Sequence, residues 1–373
     1  MKVVFVSNYL NHHQLPVCKE FIANSVDFTF IATTPVPKVR IDFGYQDMNK
    51  EYDFVLPVYE GNIDKAIKLC TDADVVIVGH APYMFIKERF KQRKLTFCYC
   101  ERIYKQKRRY LLLPLYAIKQ FLKNGRHRNF YLLCASSYAY SDFAKTLTFI
   151  GKGYKWGYFP EVKEYENIET LINGKEKNSI LWAGRLISGK HPELAIETAN
   201  RLKQNGFDFH LKIIGNGPME AKLRKMIKDY GLEEYVSLLG QMNPQEVRKY
   251  MEKSEIFLFT SDRNEGWGAV LNEAMNSGCA VVAGDKIGSV GFLIKNGQNG
   301  YVFKNRNKKS LYKSVEKLLV SEEKRIIGEN AYKTILEEWS AKTAVKNFLI
   351  LSENLQNGLK NGNITEGPCS KVK

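Results

Sequence analysis

Residues 261–283 read SDRNEGWGAVLNEAMNSGCAVVA. An apolar run, Ile256–Thr260, leads into them, and a polar loop with two glycines follows. The spacing then predicts a helix over Val270–Asn276, a stop at Gly278, and a second apolar run at Ala280–Ala283. Strand, loop, helix and strand in that order form the repeating unit of a parallel sheet wrapped by helices. The same alternation extends outward. In the second half, strands are expected at Ile180–Ala183, Leu211–Ile214 and Val236–Leu239, with helices at Pro192–Asn205, Met219–Tyr230 and Pro244–Lys253. In the first half, Val3–Ser7, Phe28–Ala32, Val75–Gly79, Leu95–Cys100 and Tyr131–Ala135 have strand character. The polar stretch 160–179 reads as a link. The expected organisation is therefore α/β, two Rossmann-like doubly wound domains facing a cleft. They would be 1–160 and 161–345, followed by a C-terminal helix and loose tail over 346–373.

Composition narrows the function. The 373 residues carry 44% hydrophobic side chains and 12% aromatics, enough for large cores and against disorder. Lys and Arg number 56 against 40 Asp and Glu, a net charge of +16 that favours anionic partners. Seven cysteines, an odd number without a CxxC pair, indicate neither a disulfide framework nor a zinc site. The N-terminal apolar run is too short for a signal peptide, and Tyr110–Ile118 is about half of a spanning helix, so a cytoplasmic location is expected.

Ligands of open parallel sheets sit beyond the carboxyl ends of the strands. In the second half those ends carry Gly184-Arg185 and then Lys190; Gly215-Asn216-Gly217-Pro218; Gly240-Gln241; Glu265-Gly266-Trp267-Gly268; and Gly284 to Ser289. Glycines, cations and carboxylates gathered at five strand ends suit a polar, phosphate-bearing ligand. The helix starting near Ala269 offers unsatisfied N–H groups and a favourable dipole to an anion. Glu265 and Glu273, eight residues apart, would repel phosphate and are better placed on sugar or ribose hydroxyls.

This segment closely resembles the Glu-x7-Glu signature of retaining glycosyltransferases of the two-domain GT-B fold, specifically family 4 (group 1). WAGRLISGKHPELAIETANRL resembles that family's Gly-Arg-Leu…Lys segment, and IIGNGP its Gly-x-Gly-Pro loop. The stretches before and after the signature, and the late Trp339-Ser340, fit as well. The resemblance runs from about residue 178 to 345 and is much weaker before that. It implies a nucleotide-sugar site, with a UDP- or GDP-linked donor as substrate and no cofactor. Arg185 and Lys190 match the cations that hold the donor diphosphate, a fork and a point charge. Glu273 matches the carboxylate on the ribose, and Glu265 the one near the transferred sugar. Backbone N–H groups of Gly266, Trp267, Gly268, Ala269 and Val270 would cradle phosphate and sugar oxygens. Gly215, Asn216, Gly217, Gly240 and Gln241 would flank the base and diphosphate. No metal is required where protein cations neutralise the leaving group. Asp72-Ala73-Asp74 spells a metal-binding Asp-x-Asp, but it precedes its strand and so reads as a turn.

The first domain is expected to hold the acceptor. His80 ends Val75–Gly79 and resembles the histidine that family members place near the reacting carbon. His12 and His13 stand where the family has a glycine-rich loop, and Glu101 ends Leu95–Cys100; all three are acceptor-side candidates. Residues 87–128 hold 14 Lys and Arg against two Glu, with apolar residues interleaved. That pattern suits an acidic membrane surface and peripheral attachment at its inner face, with plain helix packing as the alternative; no nucleic-acid motif is present. The sequence thus reads as a retaining, metal-independent glycosyltransferase. It would act on a glycan or lipid-linked acceptor in cell-surface polysaccharide assembly. The rival is a basic membrane- or glycan-binding protein with an inactive sugar-nucleotide fold.

Overall fold

A computed structural model describes residues 1–38, 41, 46–104, 113–359 and 364–372. The chain divides into two compact units, Met1–Glu161 with Ser340–Lys373, and Val162–Trp339.

The first unit is built on a sheet of strands β1 (Lys2–Ser7), β2 (Asp27–Ala32), β3 (Val55–Pro57), β4 (Val75–Val78), β5 (Thr96–Cys100), β6 (Phe130–Cys134) and β7 (Gly153–Lys155). Their order is β3-β2-β1-β4-β5-β6-β7. All neighbours are parallel; Val3 pairs with Phe28 on one side and Val75 on the other. Continuous burial of β1 and β4 explains why both read as unbroken apolar runs, since helices cover both faces.

The second unit repeats the plan with β8 (Glu176–Ala183), β9 (His210–Ile214), β10 (Val236–Leu238), β11 (Ser254–Phe259), β12 (Ala280–Gly284) and β13 (Tyr301–Phe303), in the order β10-β9-β8-β11-β12-β13. Its core joins Trp182, Leu194, Leu211, Ile256, Val282 and Phe303. Helices fall at Pro192–Gln204, Glu220–Asp229, Pro244–Lys253 and Val270–Asn276. The third is closed at its start by a capping box between Asn243 and Glu246, with Pro244 in the first turn.

All ten expected strands form. The three that the sequence did not show, β3, β7 and β13, are three-residue edge strands. The link also differs from expectation: it contains a helix, Ile168–Asn173, and β8 begins at Glu176. The unit boundary lies at Trp339/Ser340 and not at 345, because helix Ala341–Gln356 returns to the first unit. There Phe348 meets Phe21, Phe97 and Trp156 at ring separations of 5.5, 5.0 and 5.8 Å. Of the tail beyond it, expected to be loose, the stretch around Cys369 and Ser370 is docked on β7. Lys155 N donates to Ser370 O at 2.8 Å, and Cys369 N to Lys155 O at 2.7 Å. Cys369 and Ser370 are buried, so the tail covers an otherwise open sheet edge.

Candidate active site

In each sheet the chain order reverses once, between β1 and β4 in the first unit and between β8 and β11 in the second. Such switch points open a crevice beyond the strand ends, because the two loops leave in opposite directions. The predicted residues of the second unit lie around its switch point.

The loop after β8 carries Arg185 and Lys190, and the loop after β11 carries Glu265. Thr260 ties the two together. Its hydroxyl lies 2.8 and 3.0 Å from the carbonyls of Lys190 and His191, and it accepts from the Trp182 indole at 2.9 Å. Asp262 N donates to Gly189 O at 3.0 Å. Across this joint Lys190 Nζ and the Glu265 carboxylate form a close, partly buried ion pair. Gly268 makes room for it: a side chain there would strike the Phe259 ring at 2.3 Å and Glu265 Cγ at 3.2 Å. Arg185 is exposed and makes no ion pair of its own among the described residues.

Backbone contacts hold the neighbouring loops at a distance that only glycine allows. Gly215 has φ +138°, and a Cβ on it would come within 1.9 Å of Gly184 O. Gly215 N donates to Gly240 O at 2.7 Å, Leu186 N to Asn216 O at 2.7 Å, and Asn216 Nδ2 to Gln241 Oε1 at 2.7 Å. Gly215, Asn216, Gly217, Gly240 and Gln241 therefore form one stitched rim.

Glu273 sits in the first turn of helix Val270–Asn276. Its side chain reaches some solvent yet lies deep among protein atoms, and burial raises its pKa, with the Arg248 guanidinium opposing. Trp267 contributes differently from Gly266 and Gly268. Its indole is fully buried, 6.0 Å from Trp339 and 6.2 Å from Phe292, and donates to Asn272 Oδ1 at 2.9 Å. The side chain is a wedge behind the loop, leaving only backbone to face a ligand.

The structure adds residues that the sequence did not single out. His191, in the left-handed region at φ 50°, bonds Glu193 Oε1 at 2.8 Å and faces Asp262 at 3.5 Å. The Glu193 bond, and to a smaller degree Asp262, raise its pKa against an opposing burial effect. A cation next to Lys190 is thereby favoured. Ser261, just after β11, and Ser289, at the start of the short helix Val290–Leu293, are buried with hydroxyls that meet no partner among the described residues.

At the first unit's switch point, His12 and His13 follow β1, and His80 follows β4. His13 stacks on Tyr158 at 3.9 Å and 9°, and His12 meets His13 edge-on at 4.9 Å. The Tyr158 hydroxyl donates to Glu101 Oε1 at 2.5 Å. Tyr99, 6.3 Å from Tyr158, has its phenol pushed up by burial and by neighbours Tyr158 and Glu101. Tyr158 thus joins His12, His13 and Glu101 into one cluster; no local pattern in the sequence marks it. His80 is exposed and stands outside that cluster. Asp72 and Asp74 lie at the amino end of β4, where Asp74 Oδ2 accepts from Lys2 N at 2.7 Å.

Residues 164–334 match the family model described as glycosyl transferases group 1. The second unit is a group 1 glycosyl transferase domain. Over 156 residues the chain is 36% identical to the Campylobacter jejuni enzyme named N-acetylgalactosamine-N,N'-diacetylbacillosaminyl-diphospho-undecaprenol 4-alpha-N-acetylgalactosaminyltransferase. That alignment covers 42% of this chain and 41% of the relative. It is 29% identical over 165 residues to an uncharacterized glycosyltransferase of Methanocaldococcus jannaschii, covering 44% and 45%. The chain thus spans less than half the length of these curated relatives. Both units together match solved structures: Anabaena HepE in complex with UDP, TM-score 0.68 at 14% identity, covers 96% of this chain and 100% of that one. A glycosyltransferase from Rickettsia africae gives 0.67 at 15%, covering 95% and 98%. The chain has the GT-B fold, and the group 1 domain carries the rim, the cations and both carboxylates.

Proposed function

We propose that the protein is a retaining, metal-independent glycosyltransferase that moves a sugar from a nucleotide-sugar donor to a glycan or lipid-linked acceptor. The observation that carries this reading is the Lys190–Glu265 pair at the switch point of a group 1 domain, ringed by loops that only glycine can bring so close. Arg185 and Lys190 bind the donor diphosphate, and His191 adds charge behind them. Glu273 accepts from the ribose hydroxyls. Glu265 fixes the hydroxyls of the transferred sugar when Lys190 turns to phosphate. In the reaction the acceptor oxygen bonds to the anomeric carbon as the bond to the diphosphate oxygen breaks. The acceptor proton passes to the leaving diphosphate, on the same face of the sugar. Fixed cations aimed at the charge developing on that leaving group lower the barrier. The acceptor is held at the first unit's strand ends, with His12, His13 and Glu101 as its candidates and His80 as the catalytic candidate near the reacting carbon.

HepE was solved with UDP, which supports a uridine or similar nucleotide. The name of the Campylobacter relative describes a diphospho-undecaprenol acceptor, which supports a lipid-linked one. Such an acceptor suits peripheral attachment to the inner face of an acidic membrane. No helix among the described residues is long and apolar enough to cross a bilayer.

The test is nucleoside diphosphate release from a panel of nucleotide sugars, with and without EDTA. Release from at least one donor, unchanged by EDTA, is expected. A protein that binds donors and never releases diphosphate is the inactive binder instead. Activity lost to EDTA and restored by a divalent ion contradicts the metal-independent reading.

A further inference from the structure

The basic segment 87–128 contains one stretch whose surface is the reverse of an ordinary packed helix. Lys105, Lys107, Arg108, Arg109, Leu111 and Leu112 lie outside the described residues. Helix Leu113–Gln120 and the wider turn Phe121–Gly125 that continues it are described. On their inner side the anchors are polar or aromatic. Tyr116 meets the buried Tyr104 at 5.7 Å, and the buried Asn124 accepts from the Tyr83 hydroxyl. On the outer side Leu115, Ile118, Phe121 and Leu122 are 71, 60, 45 and 53% exposed. The i, i+3 and i+7 spacing of Leu115, Ile118 and Leu122 gathers them on one face, with Phe121 next to them. Lys119 follows at the edge of that face, while the Lys123 ammonium lies over the Tyr83 ring, 3.9 Å from its centroid. Leu147 and Ile150, 72 and 58% exposed, stand on the turn before Lys152, whose Nζ reaches the carbonyls of His127 and Arg128.

Large apolar side chains clustered in water mark a contact surface, and the charge around this one selects the partner. Between residues 113 and 128 there are four cations, Lys119, Lys123, Arg126 and Arg128, and no carboxylate. A second copy of the chain would bring like charges face to face. An anionic lipid surface satisfies both features at once, apolar side chains entering the acyl boundary and cations meeting headgroup phosphates.

We propose that the Leu115–Ile118–Phe121–Leu122 face is the element by which the protein docks on an anionic bilayer, lying in the interface without spanning it. This deepens the membrane-surface part of the function proposed above and names the face that performs it. The first unit, which carries the acceptor cluster, would be the half held at the lipid.

The experiment is co-sedimentation of the full chain with vesicles of phosphatidylcholine alone or mixed with phosphatidylglycerol. The wild type is expected to bind the mixed vesicles, and to lose binding as salt rises. The triple variant L115S/I118S/L122S should bind them at least about tenfold more weakly, because the apolar insertion is removed while the cations stay. K119Q/R126Q should weaken mixed-vesicle binding by a smaller factor. The substitution Ile118→Trp, with an indole that brominated lipid quenches on contact, reports insertion directly and does not depend on losing binding. Nucleoside diphosphate release, measured on the same variants in solution, should equal wild type; its absence in every protein would sink the transferase reading and leave the docking result standing. The docking proposal is overturned if wild type ignores mixed vesicles, if the triple variant binds as wild type does, or if the indole introduced by Ile118→Trp is not quenched. It is equally overturned if the triple variant abolishes self-association of a protein that never bound lipid.

Discussion

The two units share a plan and differ in what stands at the switch point. In the second, backbone shapes the site: glycines press loops together, and Lys190 and Glu265 pair their charges across the joint. In the first, side chains dominate: Tyr158 bridges Glu101 and His13, and a close backbone approach is at Gly79, where a Cβ would meet Ser7 Oγ at 2.7 Å. A nucleotide diphosphate is a ligand of fixed shape, so loops that bind it leave little room for variation. An acceptor can be recognised in many ways by rings and carboxylates, so strand ends that held one would need no fixed motif.

The largest effect that separates the units is steric. Gly215→Ala puts a Cβ 1.9 Å from a carbonyl at positive φ, and should cost more than about 4 kcal/mol or prevent folding of the second unit. Gly151→Ala in the first unit, at φ +68° with open space around it, should cost only about 1 kcal/mol. Denaturant midpoints measure both; similar losses would show that the second rim is no tighter than an ordinary turn.

Next comes charge. Lys190→Ala should raise the barrier by roughly 2–4 kcal/mol, read mainly in kcat, since the interaction strengthens as the diphosphate departs. Glu265→Gln should likewise act chiefly on kcat. A Lys190→Ala enzyme of near-normal rate would break the diphosphate assignment.

Glu273→Gln should weaken donor binding by about 2 kcal/mol with little change in kcat. Its pH behaviour sharpens the point. The ionised carboxylate accepts ribose hydroxyls and the protonated one does so poorly. Burial raises this pKa, so donor affinity should fall with decreasing pH while still above the ordinary glutamate value of about 4.3. In Glu273→Gln that part of the profile should flatten.

The smallest effect belongs to the first unit. Tyr158→Phe removes one hydrogen bond to Glu101 and keeps the stack on His13. It should raise the acceptor KM by a factor reflecting about 1 kcal/mol, and leave donor hydrolysis unchanged.

These regions also differed in how much of them could be read from sequence. Strands buried on both faces, such as Val75–Val78 and Ala280–Gly284, announce themselves as apolar runs. The edge strands Val55–Pro57, Gly153–Lys155 and Tyr301–Phe303 are three residues long and partly exposed, so nothing in their composition separates them from loop. Arg185, Lys190 and Glu265 stood in loops at predictable strand ends, and Glu273 in the first turn of a predictable helix. His191, Thr260 and Tyr158 did not show, because their roles come from partners far apart in sequence. Tyr158 lies 57 residues from Glu101, and Thr260 lies 70 from Lys190. The docked tail was hidden for the same reason: GPCSKVK is polar and short, and only the exposed edge of β7 gives it a place to bind.

The most direct test of the division between the units is calorimetric binding of UDP and GDP to the full chain. Wild type should bind at least one of them. The double variant R185A/K190A should lose affinity by at least about a hundredfold, two charged contacts at more than about 1.4 kcal/mol each. Glu101→Gln should bind as wild type does. If the double variant keeps wild-type affinity, or Glu101→Gln loses as much, the nucleotide is not held where the second unit's cations stand.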